Sequence, residues 1–354
     1  MADSHPFGLH RVLEPQGVMP QAAWKLDNRM ECGVNELLID VERLNIDSAS
    51  FRQIYEEVGK NEQAIAAKMK EIVAERGKHH NPVTGSGGML IGRVREIGSM
   101  HPARQELSVG DRIATLVSLT LTPLALEEIL QIDVANAQVT IRGQAILFAT
   151  GLYAKMPDDI EEQLALALFD VCGAPAQTAR LVQPGQTVVV LGAGGKSGLT
   201  VLAAARRSVR DGIVVAMDYG QLACERIQSL GKADIVLDVS AQDAVACLAS
   251  LEQAWNQRFG QAFSGADVVI NCVNVPGTEM ASILPCKDGG TVYFFSMATS
   301  FTAAALGAEG IGKDIQMMIG NGYCKNHADY ALNLLRAEPV LQQIFRQKFA
   351  VHSH

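Results

Sequence analysis

Residues 187–208, TVVVLGAGGKSGLTVLAAARRS, restrict the fold more than any other stretch: a short apolar run, a bend dense in glycine, and a helix-forming segment follow one another without a break. Such a bend sets the unbonded N–H groups of a helix's first turn at the end of a buried strand, where they attract an anion. Two phosphate-binding readings compete for it. A P-loop requires a glycine five positions before its Gly-Lys pair, and Val190 stands there, inside the strand. A dinucleotide turn requires strand, glycine bend, helix, and an acid about 20 residues further on. All four are present, because Asp218 ends the next apolar run, GIVVAMD.

The spacing Gly192, Gly195, Gly198 is a G-x-x-G-x-x-G variant, since Ser197 occupies the last place of the strict G-x-G-x-x-G form. Gly192 opens the turn, Gly194 and Gly195 let the backbone approach a diphosphate, and Gly198 lets the helix pack on the sheet. Lys196 either reaches a phosphate or is a solvated lysine at a helix start. Asp218 suits ribose hydroxyls and repels a 2′-phosphate, and the Tyr219 and Gly220 that follow bring no cation, so NAD is favoured over NADP.

The rest of the chain fits around this unit. From Val34, VNELLIDVERLNID alternates apolar and polar residues, as do MLIGRVREIG and DRIATLVSL, which predicts a β-rich first half. Within it, residues near 55–77 place Ile65, Met69, Ile72 and Val73 at helical spacing, predicting an inserted amphipathic helix. Beyond Asp158 strand-like and helical runs alternate, as in a doubly wound parallel sheet, with DIQMMIGNG as its sixth strand. The tail reads as helices broken at Pro339. At 354 residues and 48% hydrophobic, the chain is long enough for two domains.

A formal net charge of −8 argues against nucleic acid or an anionic membrane as partner and leaves a small-molecule substrate. No signal peptide or apolar span is legible, so the expected location is the cytoplasm. Seven cysteines without a C-x-x-C pair give no zinc ribbon or disulfide framework. Cys172, without an adjacent base, reads as a packed thiol.

With this order of segments, the chain resembles the medium-chain dehydrogenase/reductase superfamily. The likeness is carried by NELLIDVERLNID, GGMLIGRVREIG, LSVGDRIA and LVQPGQTVVVLGAGGKSG. It implies an α/β protein: a GroES-like β-barrel catalytic domain over residues 1–160, a Rossmann NAD-binding domain over 161–323, and C-terminal helices over 324–354 that pack back on the first domain. It also implies an active site between the domains and a homodimer paired through the edge strand. Zinc-dependent members carry Gly-His-Glu before the glycine-rich strand, but Gly88 and Met89 stand here in place of His and Glu. His79 and His80 read as a surface pair, and no catalytic zinc is expected.

A narrower likeness rests on LHRVLEPQGVMPQAAWKL, LNIDSASF, NPVTGSGGMLIG, RIATLVSLTLTPL and DVCGAPAQTARLV. Together these resemble the family of L-erythro-3,5-diaminohexanoate dehydrogenases. The resemblance implies NAD-dependent oxidative deamination at C3, yielding 5-amino-3-oxohexanoate and ammonia. That chemistry needs a base for the substrate ammonium and a positioned water. Asp170, in the apolar run LALALFDVCGA, must be paired or do work, and is set as base or ammonium anchor against a helix-capping role. Asp47 is the second candidate, with a turn role as its alternative. Ser48, Thr84 and Ser86 are candidate substrate contacts. Val273, Asn274, Ser296 and Met297 follow strand ends on the nicotinamide side, and no Arg or Lys stands out for the substrate carboxylate. A zinc-free enoyl or quinone reductase and a non-catalytic nucleotide-binding protein are the rival readings.

Overall fold

The computed structural model describes residues 4–59, 61–320 and 322–348. The chain divides into two compact units, one over Met1–Asp159 and the other over Ile160–Val351.

The first unit begins with a small ribbon of β1 (Val12–Glu14) and β2 (Lys25–Leu26). It continues through β3 (Glu36–Ile46), α1 (Ser48–Val58), α2 (Glu62–Arg76), β4 (Gly88–Ile97), β5 (Arg112–Thr115), β6 (Leu124–Asp133), β7 (Gln138–Phe148) and β8 (Tyr153–Lys155). Six of these strands form an antiparallel GroES-like sheet in the order β6-β7-β3-β4-β5-β8. The alternation seen from Val34 is real, because Leu37, Ile39, Val41, Leu44 and Ile46 all enter the core.

The insertion differs from expectation in being two helices and in starting earlier. Asp47 caps α1, so the SASF that follows it is already helical, and Gly59 at φ +77° ends that helix. Asn61 then caps α2 by accepting from Gln63 N and Ala64 N. Ile65, Met69, Ile72 and Val73 are buried as their spacing requires, with α2 packed on β2 and β6.

The second unit opens with α3 (Glu162–Phe169) and α4 (Gly173–Leu181). The alternating elements follow: β9 (Thr187–Leu191), α5 (Lys196–Val209), β10 (Ile213–Asp218), α6 (Gln221–Leu230), β11 (Ile235–Asp238), α7 (Ala244–Phe259), β12 (Ala266–Asn271), α8 (Glu279–Ile283), β13 (Cys286–Phe294), α9 (Phe301–Gly310) and β14 (Gln316–Ile319). The six strands are parallel in the order β11-β10-β9-β12-β13-β14, the Rossmann arrangement, with its switch point between β9 and β12. Val188, Val189, Val190 and Leu191 are fully buried, as a central strand covered on both faces must be.

The tail corrects the sequence expectation. α10 (His327–Ala337) and α11 (Pro339–Lys348) belong to the second unit, where α10 packs on α3, α4 and α5 and α11 on α3, α5 and α6. Their apolar residues, among them Leu332, Leu335, Leu341 and Phe345, are buried there. Pro339 starts α11, where its missing N–H costs nothing. No helix among the described residues is long and apolar enough to cross a membrane.

Candidate functional site

The glycine bend sits at the switch point. Gly192 has φ +70°, and a Cβ there would lie 2.8 Å from Val273 N, so the bend after β9 is pressed against the segment after β12. At Gly198 a Cβ would meet Gly192 O at 2.1 Å, which is how closely α5 is drawn down on the strand. Gly195 caps α5 without any side-chain bond, so no side chain closes off the first-turn N–H groups from an anion.

Asp218 is built into the same bend. Its Oδ2 accepts from Gly194 N at 2.7 Å and its Oδ1 from Tyr219 N at 2.7 Å. Arg226 donates from Nε to Gly194 O at 2.9 Å, a tie the sequence did not disclose because it comes from the second turn of α6. Lys196, the first residue of α5, is ion-paired with Asp170 Oδ2.

At the carboxyl edge of the sheet, Val273 N donates to Asn271 Oδ1 at 2.9 Å, and Ser296 N reaches Asn271 O at 3.2 Å, so both strand-end pairs gather around the end of β12. Ser296 and Met297 line an apolar hollow of about 320 Å³ with Phe294, Phe301, Met317 and Ile319. Strand, bend, uncapped helix and acid fit a nicotinamide dinucleotide.

The acid candidates are placed differently from their sequence contexts. Asp170 follows a buried apolar run, yet it is the C-terminal cap of α3 and its side chain is 57% exposed. The run buries Leu164 to Phe169 and stops at the acid, which turns outward to Lys196. The acid is thus paired at the surface with the first residue of α5. Asp47 is the exposed N-cap of α1 and accepts from Ala49 N at 3.0 Å.

Asp47 and Ser48 are held beside the loop carrying Thr84 and Ser86. Asp47 N donates to Gly87 O at 3.2 Å, and the Thr84 and Ser86 hydroxyls bond each other at 2.9 Å. The latch is Asn81, which the sequence did not single out. Its Oδ1 accepts from Val83 N and Thr84 N, and its Nδ2 donates to Ser50 O and to Gln53 Oε1 of α1.

The histidine pair is drawn inward from the surface, with His79 buried and His80 half-buried. His79 is fully buried with neither ring nitrogen hydrogen-bonded, and burial pushes the His79 and His80 imidazoles down to about 4. The basic segment that precedes the latch folds inward because Lys78 donates to Pro20 O and Gln21 O; burial pushes its ammonium down to about 7. That lysine is committed to carbonyls. Burial raises the Cys172 thiol to about 12, in keeping with a packed thiol. Among the described residues, no three His, Cys, Asp or Glu side chains are grouped to hold a metal ion.

Comparison with known proteins follows this geometry. The N-terminal domain of L-erythro-3,5-diaminohexanoate dehydrogenase matches residues 10–157. An L-erythro-3,5-diaminohexanoate dehydrogenase of Acetoanaerobium sticklandii is 52% identical, covering 97% of this chain and 98% of its own. One from Fusobacterium nucleatum subsp. nucleatum is 51% identical, covering 96% and 97%. Among solved structures, the CurK enoyl reductase is similar in fold, with a TM-score of 0.53 at 16% identity over 97% of this chain and 90% of that one. An oxidoreductase fold with a complete dinucleotide turn, and a sequence half shared along nearly its whole length, lead to one statement: the chain belongs to the L-erythro-3,5-diaminohexanoate dehydrogenase family.

Proposed function

We propose that this chain catalyses the NAD-dependent oxidative deamination of L-erythro-3,5-diaminohexanoate to 5-amino-3-oxohexanoate and ammonia, without a metal ion, in the cytoplasm. The observation that carries the substrate is the 52% identity over 97% of the chain to a relative named for it. The preference for NAD is supported by Asp218, whose carboxylate is fixed in the bend by two N–H groups and would repel a 2′-phosphate.

The C3 ammonium must lose a proton before hydride can leave that carbon. Asp170 takes that proton; it is the acid held next to Lys196 at the head of α5. Lys196 and the first-turn N–H groups of α5 hold the diphosphate. A bound nicotinamide would supply the hydride acceptor. The substrate is then an iminium ion, which Asp170 stabilises by its charge once it has passed the proton it took to solvent. Water adds at C3, and the adduct expels ammonia to give the ketone. Asp47 is the alternative base, and Ser48, Thr84 and Ser86 offer hydroxyls to the substrate amines and to water. A carboxylate in place of zinc agrees with Gly88 and Met89 standing where zinc enzymes carry His and Glu.

The chain also pairs with a second copy through β14. Among the described residues this strand bonds only β13, and Met317 and Ile319 are 38% and 62% exposed on a sheet edge that would otherwise be open to aggregation.

The experiment is to incubate the protein with the diamine and NAD, following reduced cofactor by absorbance and ammonium by a coupled assay. The two products should appear in equal amounts. Reduction of an enone with no action on the diamine would replace this reading with a zinc-free reductase, and NAD binding with neither activity would leave a non-catalytic nucleotide-binding protein.

A further inference from the structure

Asp218 has an acidic neighbour in the adjacent strand. β10 and β11 run parallel, and Asp218 and Asp238 are Cα partners at their carboxyl ends, about 4.8 Å apart as neighbouring strands are. Both acids bind the bend that joins β10 to α6. Tyr219 N donates to Asp218 Oδ1 at 2.7 Å and Gly220 N to Asp238 Oδ1 at 2.8 Å. Gly220 is the N-cap of α6 at φ +97°, so Asp238 reaches across from β11 to the amide of the residue that caps that helix. Asp238 is exposed. Arg226, the nearby cation of α6, uses Nε on Gly194 O and lines the hollow between α6 and α11.

We propose that Asp238 is a second determinant of cofactor choice, acting with Asp218 to exclude a phosphate from the 2′ position of the adenosine ribose. This rests on the placement of the dinucleotide given above. A 2′-phosphate carries a charge of about −1.5 to −2 near neutral pH. With the dinucleotide so placed, Asp218 meets the ribose hydroxyls, and Asp238, its Cα partner on β11, adds a second negative charge beside the same bend. Substitution of either acid alone therefore leaves a like charge in place, and each contributes its own share of the discrimination against NADP.

The test is equilibrium binding of NAD and NADP, measured by calorimetry without substrate, to the wild type, Asp238→Asn, Asp218→Asn and the double variant. Asparagine keeps an oxygen to accept from Gly220 N, and Asp238→Ser, whose hydroxyl also accepts, serves if the first variant folds poorly. Asp238→Asn should improve NADP affinity relative to NAD by about tenfold, equivalent to 1.4 kcal/mol. The double variant should gain more than either single change. The gain should shrink as salt is raised, because the charges are solvent-facing. If Asp218→Asn shifts the ratio and neither Asp238 variant does, the proposal fails while the placement of NAD stands. If no variant shifts it, both fail.

Discussion

Two alanine substitutions one turn apart in the glycine bend should separate its two functions. At Gly198 an added Cβ would sit 2.1 Å from Gly192 O and 2.5 Å from Ala193 Cα, backbone atoms that cannot swing aside. At Gly195 the nearest such atom is Gly192 O at 3.5 Å, an ordinary contact, and the backbone at φ −79°, ψ 173° accepts alanine without strain. Gly198→Ala should therefore lift α5 off β9 and destabilise the unit by about 1–3 kcal/mol, the usual cost of overpacking. At about 2–4 °C per kcal/mol for a unit of this size, the melting temperature falls by roughly 2–12 °C. Gly195→Ala should melt like the wild type, but its methyl group occupies the approach to the first-turn N–H groups. NAD affinity should then drop by at least about tenfold, 1.4 kcal/mol. Melting curves and calorimetric NAD titrations of both variants are the assay. A Gly195→Ala protein that binds NAD as tightly as the wild type would refute the placement of the diphosphate.

Asp170→Asn should lower kcat by about a hundredfold or more, the usual worth of a general base, and an unchanged rate would pass the role to Asp47, tested by Asp47→Asn. Met317→Lys with Ile319→Lys should turn a dimer into a monomer by light scattering; a wild type already monomeric would end the β14 proposal. Acid stability provides a further check. Burial pulls the Glu36 carboxyl upward, but hydrogen bonds from His10, Arg11 and Gly33 N outweigh it and hold it at about 2, against an ordinary 4.5. A depressed carboxylate contributes stability that is complete above pH 4.5 and lost as pH falls toward 2, here about 3 kcal/mol. Urea midpoints across that window should show the loss, and Glu36→Gln should flatten it.

The parallel sheet was legible because its strands are buried on both faces and leave continuous apolar runs, and because the spacing of Gly192, Gly195 and Gly198 allows few backbones. What escaped was set by tertiary contact. The apolar run before Asp170 announced a buried acid, but the helix ends there and the side chain turns outward. The polar, basic text around His79 and His80 announced a surface, but Lys78 and Asn81 pull that segment inward with bonds to Pro20, Gln21 and α1, partners distant in sequence. The tail's amphipathic helices did not reveal which unit they would cover, since an apolar face specifies burial and not an address. Arg226 and Asp238 came to notice only when the sheet register set them beside the bend.

The most direct measurement is a crystal structure of the protein with NAD. The diphosphate should lie within hydrogen-bonding distance of the first-turn N–H groups of α5, with Lys196 beside it and the adenosine ribose on Asp218. A dinucleotide bound elsewhere, with the bend at 192–198 left to solvent, would contradict the assignment of cofactor, base and reaction together.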